Sequence, residues 1–139
     1  MEIFNSAAKE YDKWYTTKIG EFADYIETKL ALEMFQPDKG MKVLDVGCGT
    51  GNFSIKLAEM GCKVVGIDVS EEMLSVAKKK AEEKGLDIEF HKMDVYNLKF
   101  PNKEFDEVFS MAAFEFIIKA DKAYAEMYRV LKDKGHLLI

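Results

Sequence analysis

The 139-residue sequence holds two cysteines, two prolines, one tryptophan and, among its 20 basic residues, a single arginine, Arg129. Cys48 and Cys62 match neither a C-x-x-C motif nor a metal-ligand spacing. Two thiols cannot build the multi-bridge framework of a small secreted domain, so both are read as reduced. No apolar run approaches the roughly 20 residues of a membrane span. Met1 opens onto Glu2 and Asn5 rather than a basic and then apolar leader, so the chain is expected in the cytosol. A block of like charge is missing too. Twenty Lys plus Arg against 25 Asp plus Glu leave a scattered net charge of −5, with no electrostatic footprint for a duplex or an anionic bilayer. Neither nucleic acid nor membrane is expected as a partner. The bias of Lys over Arg accompanies heat adaptation and genome composition alike and decides nothing.

What is present is a globular composition, 48% apolar and 32% charged, long enough for one domain over residues 1–139 and one core. From Met41 onward, short β-rich runs alternate with helical patterns, the signature of an α/β sheet. The strands are predicted at 42–46, 63–68, 87–92, 106–110 and 136–139. The first, second and fourth are continuous Val/Leu/Ile/Phe runs of the kind buried on both faces. Helices are predicted at 52–60, with Phe53, Leu57 and Met60 on one face, at 71–84 and at 121–132. Ser70 is a candidate N-cap with Glu71 and Glu72 in the first turn, and Gly85 follows the helix as its C′ residue. Ahead of the sheet, Ile19, Phe22, Ala23, Ile26 and Leu30 repeat at three and four residues. This predicts an amphipathic helix ending near Phe35 and a helical cap over 1–36.

The chemistry concentrates in Val43-Leu44-Asp45-Val46-Gly47-Cys48-Gly49-Thr50-Gly51, a buried strand running into three alternate glycines and then a helix. In an open α/β sheet a ligand binds at the carboxyl end of such a strand, where glycines let the backbone come close. The dinucleotide fingerprint G-x-G-x-x-G would need a glycine at position 52, which is Asn52, and no Gly-Lys-Ser/Thr of a P-loop follows. The loop therefore suits a nucleoside ligand without a pyrophosphate, or else is only a tight turn. The next strand, Val64-Val65-Gly66-Ile67, ends in Asp68, 17 residues after Gly51. That is near the roughly 20-residue offset at which a carboxylate accepts from both ribose hydroxyls; capping the following helix is the plainer alternative. His91 and His136 have no partners at metal-ligand spacing and are read as ordinary histidines, so no metal is expected.

Together these residues resemble the class I S-adenosylmethionine-dependent methyltransferases, specifically the small-molecule group. The resemblance runs from Tyr11 to the last residue. It is carried by the glycine loop, by Gly66-Ile67-Asp68-Val69-Ser70 with Met73-Leu74 behind it, by Phe105-Asp106-Glu107-Val108-Phe109-Ser110, and by Arg129-Val130-Leu131-Lys132. It implies a Rossmann-like α/β fold, a mostly parallel twisted sheet with helices on both faces and about five strands present. It also implies S-adenosylmethionine as cofactor, S-adenosylhomocysteine as product and a small-molecule methyl acceptor. By the same resemblance Gly47, Cys48, Gly49 and Gly51 lie beside the methionine moiety, Asp68 and Val69 at the ribose, Met73 near the adenine, and Met93, Asp94 and Val95 along its edge. Asp94 would take the exocyclic amine, and Ser110 completes the set. Asp45 suits the cationic sulfonium and ammonium, and the helix start behind Gly51 suits the carboxylate. Tyr11, in Tyr11-Asp12-Lys13-Trp14-Tyr15, resembles a signature that closes over the cofactor, while Trp14 and Tyr15 serve equally well to pack the cap on the sheet. Glu115, in Phe114-Glu115-Phe116, is the candidate general base, although methyl transfer needs chiefly positioning.

Ser110-Met111-Ala112-Ala113 replaces the Asp/Asn-Pro-Pro-Tyr of base methylases, and no cysteine lies downstream for attack on cytosine. The family's Leu-Lys-Pro-Gly-Gly is here Leu131-Lys132-Asp133-Lys134-Gly135, and the hairpin expected after a fifth strand is not in the chain. A truncated methyltransferase or a non-catalytic binding module is the alternative this leaves, with a nicotinamide oxidoreductase third. The fifth strand is expected to form one sheet edge, apolar and without protective charge, open to a homodimer.

Overall fold

The computed structural model describes residue 13, residues 17–111 and residues 119–139; Tyr11, Trp14, Tyr15 and Glu115 lie outside the described residues. In order come α1 (Lys18–Phe35), β1 (Lys42–Val46), α2 (Asn52–Glu59), β2 (Lys63–Asp68), α3 (Glu71–Glu83), β3 (Glu89–Lys92), β4 (Phe105–Phe109), α4 (Ala120–Val130) and β5 (Leu131–Leu138). The five strands form one sheet in the order β3-β2-β1-β4-β5, and every neighbouring pair is parallel. The chain steps outward from β1 to β3, returns to the other side of β1 as β4, and steps outward again. Right-handed crossovers then put α2 and α3 on one face and α4 on the other. The loops after β1 and β4 diverge at this reversal, which is where an open α/β sheet offers a crevice.

Apolar strand runs are buried on both faces because both are covered. On one face Leu44, Val46, Val65, Ile67 and Val108 pack with Ala123, Met127 and Val130 of α4. On the other, Val43, Val64 and Phe109 pack with Leu57 of α2 and with Leu32 and Phe35 of α1. Phe109 receives the edges of Phe35 and Phe53 at centroid separations of 5.5 and 5.1 Å. Met60 lies just past α2 and is half exposed rather than on its buried face.

Three expectations are corrected. The stripe Ile19, Phe22, Ile26 and Leu30 does not face the sheet. Those residues are exposed, and α1 instead turns Ala31, Leu32 and Phe35 inward, with Thr28 accepting from Lys56 of α2 at 3.1 Å. Next, α4 stops at Val130 rather than Lys132, because the amides of Lys103 and Glu104 bond the carbonyls of Arg129 and Val130 at 2.9 and 2.8 Å and terminate the helix without a turn. Finally, β5 starts five residues earlier than expected. Leu131 pairs with Phe105 and His136 with Glu107, and the residues between bulge outward. Gly135 is required there, since a Cβ would lie 2.6 Å from the Asp106 carbonyl oxygen. The β5 edge thus carries Lys132, Asp133 and Lys134 on a bulge, two devices that blunt edge pairing.

The single arginine is a clip. Arg129 donates to the carbonyls of Leu98 and Phe100 at 2.9 and 2.8 Å and to Asn102 Oδ1 at 2.8 Å. Glu126 holds its guanidinium and accepts from the Leu98 amide at 2.8 Å. The loop between β3 and β4 is thereby tied to α4. A lysine cannot satisfy these acceptors at once, so Arg129→Lys is expected to cost on the order of 1–2 kcal/mol in urea unfolding. Stability equal to wild type would show that the clip is idle.

Candidate functional site

The crevice is built from the carboxyl ends of β1, β2, β3 and β4. Gly47, Gly49 and Gly51 all have positive φ, at 70°, 57° and 84°. The turn they make is stitched to β2 by the amides of Gly47 and Cys48, which share the Ile67 carbonyl at 2.8 and 2.9 Å. Gly51 is also the N-cap of α2, and a Cβ there would fall 2.9 Å from Ala77 Cβ on α3.

Asp68 ends β2 with its two carboxylate oxygens divided. Oδ2 accepts from the Gly49 amide and Oδ1 from the Ser70 amide, each at 2.9 Å, so one side chain locks both the glycine loop and the entry to α3. Ser70 then caps α3 by accepting from the Met73 amide at 3.2 Å, as its position before Glu71 predicts. Val69, between them, is half-buried. Met73 is buried, with its sulfur 3.7 Å from where a Gly49 Cβ would stand. The Met93 amide bonds the Asp68 carbonyl at 3.0 Å, bringing the segment after β3 to the same rim. There Val95 is buried and Asp94 is exposed, its Oδ1 accepting from the Tyr96 amide at 2.8 Å. At the end of β4 the Ser110 hydroxyl is buried and has no hydrogen-bond partner among the described residues.

Asp45 lies deeper. It is 2% exposed, and the Ser54 hydroxyl of α2, itself buried, donates to its Oδ2 at 2.6 Å. Burial pushes the Asp45 carboxyl up to about 7; the Ser54 hydrogen bond works against this and the negative charge of Asp68 with it. Cys48 turns its side chain away from the crevice into a cluster with Leu74, Ala77, Ala81 and Phe90. Burial, followed by the negative charges of Asp45 and Asp68, holds its thiol well above the ordinary range. It is an inert core group, and only its backbone belongs to the loop.

The residues singled out from sequence on the first two strands and after the third therefore converge: Asp45, Gly47 to Gly51, Asp68, Val69, Met73, and Met93 to Val95, with Ser110 across the crevice. Three supporting residues carry no sequence signal of their own. Ser54 reads as an unremarked helix position. Lys80 reads as one of a surface run, yet its Nζ donates to Asn52 Oδ1 at 2.6 Å and pins the start of α2 to α3. Phe90 is one aromatic on a short strand, but its ring lies 3.3 Å from where a Gly51 Cβ would stand. Among the described residues no three of His, Cys, Asp or Glu gather as a metal site, and no helix is long and apolar enough to cross a membrane.

Residues 43–135 match the model of a methyltransferase domain family. The chain is 33% identical over 140 residues to the demethylmenaquinone methyltransferase of Thermus thermophilus, covering 99% of this chain and 63% of that protein. It is likewise 33% identical over 143 residues to the phosphatidylethanolamine N-methyltransferase of Cereibacter sphaeroides, covering 100% of this chain and 68% of that one. Among solved structures, a SAM-dependent methyltransferase from Aquifex aeolicus superimposes with a TM-score of 0.76 at 30% identity, over 92% of this chain and 67% of that one. The chain spans about three-fifths of the length of the demethylmenaquinone methyltransferases it matches.

Proposed function

The chain belongs to the methyltransferase domain family, and on that premise we propose that it binds S-adenosylmethionine at the carboxyl ends of β1 to β3 and directs its methyl group to a small-molecule acceptor. The class I methyltransferase fold implies the cofactor. The observation that carries the reading is Asp68, fixed by two backbone amides beside a glycine turn at the sheet's reversal point. A carboxylate held this way keeps lone pairs for two vicinal hydroxyls, and Met73 supplies a polarizable apolar wall beside it. Asp94 at the rim suits an exocyclic amine. The buried Ser110 hydroxyl, unpartnered among the described residues, leaves a polar atom for the ligand's methionine end.

The cofactor supplies a methyl group on a positive sulfur, an electrophile that an acceptor atom displaces in line while the sulfur keeps the bonding pair. The protein's share is orientation and charge. Holding the acceptor behind the methyl group is the large term, worth roughly 7–11 kcal/mol in well-oriented systems. Asp45 beneath the crevice, when ionised, favours a cationic ligand over a neutral one. The acceptor is proposed only as a small molecule, since relatives of equal identity are named for acceptors as different as demethylmenaquinone and phosphatidylethanolamine.

Titration calorimetry with S-adenosylmethionine and S-adenosylhomocysteine tests the binding. Asp68→Ala removes both the ribose acceptor and the clamp on the Gly49 amide, and is expected to cost roughly 1–3 kcal/mol, about tenfold to a hundredfold in Kd. Affinity unchanged in that variant removes the ribose assignment. Methyl-labelled cofactor incubated with a panel of quinol, amine and phospholipid acceptors tests transfer, and binding without any labelled product would reduce the chain to a binding module.

A further inference from the structure

Helix α1 is apolar on two opposite sides. One side packs Ala31, Leu32 and Phe35 on the sheet. The other leaves Ile19 at 77%, Phe22 at 67%, Ile26 at 37%, Leu30 at 53% and Met34 at 67% exposed. From Ile19 to Met34 this strip runs about 22 Å at 1.5 Å per residue. A contiguous apolar strip of this length, exposed along one helix, is of the kind that marks a protein–protein interface.

Charge selects the occupant. α1 also carries Glu21, Glu27 and Glu33 against Lys18 and Lys29, and the chain as a whole is at −5. Interfacial helices that lie on anionic lipid are Lys- and Arg-rich on their polar side, so this helix is repelled by such a surface and by nucleic acid. It does complement itself. When two copies cross antiparallel at a shallow angle over Ile26, Phe22 meets Leu30 of the partner subunit, and Lys18 comes opposite Glu33 of the partner subunit. Each such contact occurs twice, as a two-fold interface requires. The alternative site for self-association, the β5 edge, is bulged and carries Lys132, Asp133 and Lys134, which makes it a poor template.

We propose that the outward face of α1 is the surface through which two copies of this chain associate, as an antiparallel helix pair centred on Ile26. This stands independently of the cofactor reading, since α1 contributes none of the residues assigned to the crevice. The test is sedimentation velocity on the full chain from 1 to 200 μM. A concentration-dependent dimer is expected. Ile26→Glu should raise its dissociation constant at least tenfold while leaving the circular dichroism spectrum unchanged, Ile26 being at the surface. Lys18→Glu should weaken the dimer, and adding Glu33→Lys should restore it, a recovery that a merely misfolded variant would not show. A monomer throughout the range overturns the proposal. So does a dimer indifferent to Ile26→Glu, which would place the contact elsewhere, or a monomer that floats with phosphatidylcholine vesicles, which would make the strip a lipid contact.

Discussion

Replacing Asp45 by Asn is expected to change the pH dependence of stability more than any other single substitution in this protein. Asp45 is buried, and its carboxyl is raised from 3.8 to about 7. Between those two values the folded protein holds a proton that the unfolded chain has released, so stability falls as pH rises from about 4 to 7 and the loss is complete above 7. At about 1.4 kcal/mol per pH unit, the difference comes to about 4 kcal/mol. Asn keeps the shape, and its carbonyl oxygen can still accept from Ser54, but it carries no charge at any pH. Its amide group needs a partner that a protonated carboxyl needs less, so Asp45→Asn starts at a disadvantage near pH 4.5. That penalty is the same at every pH and cancels in the comparison. The stability of the variant relative to wild type is therefore expected to rise by about 2–4 kcal/mol from pH 4.5 to pH 8, and the two curves to cross. The raised pKa of Glu107, also caused chiefly by burial, is common to both proteins and drops out. The same substitution should weaken S-adenosylmethionine at pH 8, where Asp45 is ionised, by about tenfold, because a cation loses its buried counter-charge. Urea titrations at five pH values check the first effect; parallel curves would mean that Asp45 is already ionised when the unfolded chain is.

The second large effect is at Gly51. Its φ of 84° is left-handed, which costs a residue with a Cβ roughly 1–2 kcal/mol. The added methyl would also stand 2.9 Å from Ala77 Cβ and 3.3 Å from the Phe90 ring. Neither neighbour has room to retreat, since Ala77 is fully buried and Phe90 nearly so, and overpacking of this kind costs typically 1–3 kcal/mol more. Gly51→Ala is thus expected to lose about 2–5 kcal/mol, a large share of a domain's ordinary 5–15 kcal/mol, and to move α3 away from the loop that Asp68 secures. Gly85 is the internal control: its φ is 66°, but a Cβ there meets nothing within 4 Å, so Gly85→Ala should show the backbone cost alone. Removing the obstructing methyl with Ala77→Gly should recover part of the Gly51→Ala loss. A Gly51→Ala protein within 1 kcal/mol of wild type would mean that the close approach to α3 does not exist.

Much of this was legible in the chain because it is written locally. Continuous Val/Leu/Ile runs announce strands buried on two faces, so β1 and β2 were placed to the residue and β4 to within one. Alternate glycines after such a strand announce a tight turn in left-handed backbone, and an acidic residue at the next strand's end supplies two acceptor oxygens beside it. Ser70 ahead of Glu71 marks a helix start by its own hydrogen bond. Each of these signals depends on a few neighbouring residues and on geometry that any chain must obey.

The remainder depended on what lies opposite. A helical repeat of apolar residues says that a face is apolar but not whether the sheet meets it, and α1 is apolar on both sides. Leu32 and Phe35 seated one of them on the sheet and left Ile19, Phe22 and Ile26 in water. The end of α4 was set by amides 26 residues upstream. The raised pKa of Asp45 was set by burial that no local pattern encodes, against the opposing hydrogen bond of a serine on another element. The sequence by itself determined the fold class, the order of the elements and the glycine turn at the end of β1, because strand and turn propensities act between near neighbours. Only the tertiary structure decided which helix face is buried, which carboxylate is desolvated and which sheet edge is blunted, because those are properties of contacts between residues far apart in the chain.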